Sequence, residues 1–166
     1  MFDTEEDQMN SRFKFVLIAA VFVASAGAAR VTYAAPPTDA CSLLTPAQVS
    51  AVLGFSAKPG HPGIHETTTC VWPLENFSKM GSKDTKLVQV TILSSQDWAK
   101  IAPLVRAFGA VKGVGDAAVY SPGNSLPIPL YVKKGNREFT VFMLGFPPEQ
   151  IKAKEKTLAL DVLKNL

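Results

Sequence analysis

Little in this chain advertises chemistry. It has two cysteines and two histidines in 166 residues, too few for a zinc-finger array or a multi-bridge disulfide scaffold. Charged residues make up 19% and the net charge is +3. The charges are scattered, so the basic stripe that a nucleic-acid interface needs is missing, and nucleic acid is not an expected partner. No serine sits on a G-x-S-x-G elbow. No P-loop lysine follows a glycine-rich turn. No pair of carboxylates stands out for acid–base work. These gaps leave no expected catalytic residue and no expected cofactor. Long apolar runs are scarce too: Phe15 to Ala29 is fifteen uncharged residues, short of the roughly 20 that a spanning helix needs.

That run nonetheless has a pattern. The basic stretch Met9-Asn10-Ser11-Arg12-Phe13-Lys14 precedes it, and small residues follow at Ala26-Gly27-Ala28 and Thr32-Tyr33-Ala34. Basic, apolar, then small is the order of a secretory signal peptide. Residues 1–34 are read as that signal, with cleavage after Ala28 or Ala34, 35–40 as a linker and 41–166 as one domain. An uncleaved anchor is the competing reading, and it is the only membrane contact expected. The acidic patch Asp3, Glu5, Glu6 and Asp7 is unusual ahead of a signal and suggests that translation starts at Met9. Residues 1–34 hold three basic and four acidic side chains, so a processed chain carries fourteen Lys+Arg against ten Asp+Glu, or +4. The expected location is outside the cytoplasm, periplasmic or secreted.

In an oxidising compartment the even cysteine count is most simply met by a Cys41–Cys70 disulfide. Chain entropy gives a loop of about 30 residues roughly 3.5 kcal/mol of stabilisation. Two alternatives compete. One is a lipid on Cys41, although that residue lies well beyond the apolar run. The other is a metal site using His61, His65, Glu66 and Cys70, which Cys41 could join, although the spacing matches no tight finger.

"CSLLTPAQVSAVLG" predicts a helix over 46–53. Thr45 is the N-cap, Pro46 suits the first turn, Gln48 completes a capping box, and Gly54 ends the helix. Residues 57–65 hold two prolines, two glycines and both histidines and read as a loop. "ETTTCVWP" and "KLVQVTILS" read as strands, paired antiparallel through a connection at 75–85. Ser94 or Ser95 caps a second helix, whose Trp98, Ile101, Ala102, Val105 and Phe108 share one face.

"VKGVGDAAVY", residues 111–120, looks most like a site. Gly113-Val114-Gly115-Asp116-Ala117-Ala118 approaches a dinucleotide fingerprint, but a strand edge follows where a helix N-terminus is needed. The stretch is read as a bend into a strand, with Asp116 accepting N–H groups of its own turn. "LYVKKGNREFTVFML" predicts a hairpin turning near Gly135-Asn136, where Lys133, Lys134 and Arg137 cluster. After Pro147-Pro148 a last helix has Ile151, Leu158, Ala159, Val162 and Leu166 on its apolar face. Lys152, Lys154, Lys156, Glu149 and Glu155 are assigned to the rest. That helix is expected to dock on the sheet; lying on a membrane is the other use of such a pattern.

In this order, "CSLLTPAQVSAVLG", "CVWP", "VKGVGDAAVY", "LYVKKG" and "LALDVLKNL" resemble a group of small exported bacterial domains and lipoproteins of unknown function, over about residues 39–166. The resemblance implies a secreted α+β domain with a disulfide and no particular reaction. The element order expected is α-β-β-α-β-β-β-α, a mostly antiparallel sheet with helices packed on it. The expected role is a non-catalytic binding or protein-interaction domain, for a small molecule or another exported protein. Contact residues would come from His61, His65, Asp116, Lys133, Lys134 and Arg137. The alternatives are an enzyme using His65 with Glu66 or Asp116, and an inhibitor or accessory subunit of an exported partner.

Overall fold

The structure is a computed structural model, and it describes residues 39–64, 66–75, 85–122 and 128–166. The signal-peptide reading, the alternative start and cleavage points, and His65 lie outside the described residues, as do residues 76–84 and 123–127 of two expected connections.

A 3₁₀ turn, Ala40–Ser42, opens the described chain, with the Asp39 carboxylate accepting from the Cys41 N–H at 2.9 Å. Helix α1 follows at Pro46–Leu53. Thr45 and Gln48 form the full capping box, Gln48 N–H donating to Thr45 Oγ1 and Thr45 N–H donating to Gln48 Oε1. These bonds satisfy donors that a two-turn helix otherwise leaves to water.

Six strands form one antiparallel sheet: β1 (His61–Gly63), β2 (Glu66–Pro73), β3 (Leu87–Leu93), β4 (Ala117–Tyr120), β5 (Leu130–Lys134) and β6 (Arg137–Leu144). Their spatial order is β1-β2-β3-β6-β5-β4. Helix α2 (Ser95–Phe108) carries the chain from β3 to the far edge, and helix α3 (Pro148–Lys164) closes it. The α+β class and the antiparallel sheet expected from the sequence are therefore present.

One element was not expected. Residues 61–63 pair with β2 as a short edge strand, Pro62 opposite Cys70, where sequence reading had placed only loop. Proline interrupts a ladder but is tolerated on an outer strand, where its missing donor faces away from the sheet. Gly60 leads into it because any Cβ there would sit 2.5 Å from Trp72 Nε1 and 2.8 Å from Cys70 Sγ.

The two sheet faces are used differently. On one, Cys70, Trp72, Val88, Val90, Val132, Phe139, Val141 and Met143 meet α1 and α3 in the main core. On the other, α2 sets Trp98 and Ile101 against Val119 and, at the edge of that cluster, Tyr131. Cys41 and Cys70 are joined, Cα atoms 4.9 Å apart across 29 residues, and this ties the 3₁₀ turn to β2. The lysines expected on the free side of α3 have specific uses. Lys154 Nζ donates to the Val52 and Leu53 carbonyls, capping the C-terminus of α1, and Lys156 Nζ donates to the Lys112 carbonyl. A lysine at a helix C-terminus satisfies orphan carbonyls and suits the helix dipole.

Candidate functional site

The bend before β4 explains the glycine-rich stretch. Val114 is buried in the main core between Gly113 and Gly115, both at positive φ. Gly115 has φ 58°, and a Cβ there would collide with the Lys133 carbonyl oxygen. The chain passes that close to β5, and only glycine fits. Beyond it comes β4, a strand.

Asp116 serves the hairpin. It does not bond within its own turn as expected. Its Oδ2 accepts the Gly135 N–H at 2.7 Å and its Oδ1 accepts from Lys134 Nζ at 2.7 Å, so it clamps the tip of the β5–β6 turn. The Gly135 N–H, and then the Lys134 ammonium, hold its carboxyl below the usual carboxylate range. An ionised acid with both oxygens engaged is poorly placed to act as a base. Lys133 turns the other way, onto the buried Glu138 carboxylate, with its ammonium 5.8 Å from the Trp98 ring centroid. Arg137 pairs with Lys134 across the hairpin. Asp116, Lys133, Lys134 and Arg137 are thus brought to one hairpin, where three of them serve ion pairs.

His61 is far from that cluster in the sheet, on the opposite edge strand. Its Nδ1 donates to the Pro62 carbonyl at 3.0 Å, and it lines a hollow of about 360 Å³ with Ile64, Thr69 and Gln89. Glu66 begins β2. Among the described residues no group of three His, Cys, Asp or Glu side chains comes together, and Cys41 and Cys70 are consumed by their bridge.

Sequence reading missed two features. The first is Glu155, assigned to the polar side of α3 but fully buried at 0% exposure. The β5–β6 ladder begins at the Leu130–Val141 pair. Met143 lies beyond it, and its N–H is taken by Glu155 Oε1 at 3.1 Å. Glu155 Oε2 has no partner among the described residues. Burial pushes this carboxyl up to about 8, against the opposing pull of the Met143 N–H and the Lys152 ammonium. At neutral pH Glu155 is therefore a neutral acid. Its position was visible in the helical spacing, four residues after Ile151 and four before Ala159, had the glutamate been admitted to the apolar stripe.

The second is a groove of about 410 Å³ at the β4 edge, walled by Phe108, Val111, Tyr120, Pro122 and Lys152. Its cause is a fork in the backbone. Val111 N–H donates to the Ala118 carbonyl at 2.8 Å, so the segment leaving α2 begins to pair with the outer side of β4. The next bond back cannot form, because the Gly109 N–H closes α2 onto the Val105 carbonyl at 3.1 Å. The two backbones diverge, and the groove is the gap between them. Phe108 is 59% exposed on its rim. Tyr120 donates its hydroxyl to the Lys152 carbonyl at 2.5 Å, and the Lys152 ammonium sits 5.4 Å from the Tyr120 ring centroid. Burial, with a smaller contribution from Glu155, pushes the Tyr120 phenol up to about 12, so it stays a donor. Lys152 is the one charged side chain lining the groove among the described residues.

Fold and groove together define a three-layer, disulfide-stapled α+β domain with a cleft at its open sheet edge. No known family, curated protein or solved structure matches the chain.

Proposed function

We propose that this chain is a binding domain that works outside the cytoplasm, in the periplasm or after secretion, and that the β4-edge groove is its contact surface. The carrying observation is the fork itself: a concavity with an exposed aromatic rim and, among the described residues, a single cation, at the β4 edge of the sheet. Binding sites are typically concave, mostly apolar and furnished with few polar groups. The Cys41–Cys70 bridge is compatible with an oxidising compartment. Among the described residues no helix is long and apolar enough to cross a membrane.

The test is an NMR fragment screen on the isotopically labelled full-length protein. Hits should perturb the amides of Phe108–Val111 and Val119–Ser121 more than any other set. A screen whose hits cluster elsewhere, or that yields none, removes the groove as the binding surface.

A further inference from the structure

The shape of the fork restricts what can lie in it. In β4 the Ala118 carbonyl faces outward, since it accepts from Val111. Backbone direction alternates along a strand, so the peptide groups of Tyr120 face outward as well, into the groove. The Ser121 N–H agrees with that phase, because it bonds inward to the Pro129 carbonyl at 2.9 Å. Among the described residues nothing bonds the Tyr120 N–H or C=O across the gap. An extended backbone laid beside Tyr120 would complete the ladder that α2 interrupts, which is β-strand addition at a sheet edge. The Val111–Ala118 bond closes one end of the fork, so an inserted strand can enter but cannot run through. A strand that stops at the closed end, as a chain terminus does, fits the fork without having to turn out of it. Lys152 provides an ammonium and no acid lines the cleft, so the terminus that matches is the carboxylate one. Phe108, Val111 and Pro122 offer apolar surface for the last side chain.

Resting on the groove reading above, we infer that the groove captures the free C-terminus of another exported polypeptide, bound as a short added strand with an apolar final residue and its carboxylate at Lys152. Main-chain bonds to Tyr120 would supply affinity independent of sequence, while the rim and Lys152 would select the end group.

The experiment uses the full-length protein and three immobilised peptide libraries. One has randomised residues before a free carboxylate; the second is the same library amidated; the third is amidated with one internal aspartate. Wild-type protein should enrich the first at least tenfold over the second, with apolar last residues. Lys152→Met keeps the alkyl stem and the backbone acceptor for Tyr120, and should abolish that preference. Phe108→Ser, at an exposed position, should weaken capture of all members. Equal enrichment of the free and amidated libraries, with Phe108→Ser still weakening both, overturns the terminus while leaving the groove reading intact. Enrichment of the aspartate library to the level of the first overturns it in favour of an acidic side chain. No enrichment, or enrichment indifferent to Phe108→Ser and Lys152→Met, overturns both.

Discussion

The stability of a Glu155→Gln variant relative to wild type should rise with pH. The side chain is fully buried and its carboxyl is held up to about 8 from an ordinary value of 4.5. The folded state therefore holds a proton that the unfolded state releases throughout the interval between those two values. In that interval stability must fall as pH rises, because the unfolded state binds fewer protons. Above the folded value both states are ionised and the loss levels off. With about 1.4 kcal/mol per unit, the forfeited stability is about 1 kcal/mol at pH 5, about 3 kcal/mol at pH 7 and about 5 kcal/mol above pH 9. Glutamine keeps an Oε1 acceptor for the Met143 N–H and never ionises. Its amide NH2 group replaces the unpartnered Oε2 at a cost of about 1–3 kcal/mol that does not vary with pH, so the slope against pH is the test. Lys152 and Tyr120, the charged and titratable groups in electrostatic contact with Glu155, stay in place, so the difference between the two proteins isolates one proton. Urea unfolding followed by fluorescence of the buried Trp72 and Trp98 at pH 5, 7 and 9 measures it. A stability difference that does not change with pH would refute the reasoning.

Three further outcomes are expected. Reducing the Cys41–Cys70 bridge, or replacing both cysteines by serine, should cost roughly 3.5 kcal/mol in denaturant unfolding; a loss below about 1 kcal/mol would mean the unfolded chain is already compact in that region. Gly115→Ala should destabilise by about 2 kcal/mol or more, since it adds a Cβ at positive φ against the Lys133 carbonyl; an unchanged melting temperature would contradict the close approach. Asp116→Ala should speed amide hydrogen exchange at Gly135 while that of β3 stays as in wild type, and Asp116→Asn should restore part of the protection; unchanged Gly135 exchange in the alanine variant would show that the clamp is not holding the turn.

Local signals carried most of the fold into the sequence. The Thr45–Gln48 box and the serine cap of α2 announce helix starts because capping is local to a few residues. The β5–β6 hairpin is equally local, two alternating runs around Gly135-Asn136. What stayed hidden depends on distant pairing. His61–Gly63 counts as a strand only because β2 lies beside it, and its proline and glycine composition argues the other way. Glu155 reads as surface by residue type, yet β5 ends before Met143 and leaves an N–H that the Glu155 side chain takes from α3. The groove unites residues 108–111, 120–122 and 152 through a bond that fails to form at Gly109. No motif marks such a gap. Of the expected contact residues, the basic cluster and Asp116 do meet, but Asp116 and Lys134 hold each other and Lys133 holds Glu138.

The placement of β6 between β3 and β5 dictates an order of assembly. Until residues 137–144 have arrived, β1-β2-β3 and β4-β5 are two ribbons with no ladder between them, meeting in the small cluster that α2 forms with Leu93, Val119 and Tyr131. The bridge, spanning only residues 41–70, can close while those ribbons are still apart. A chain cut short before β6 would thus carry its cross-link without the strand that joins the two halves of the sheet, an aggregation-prone intermediate rather than a smaller version of the domain.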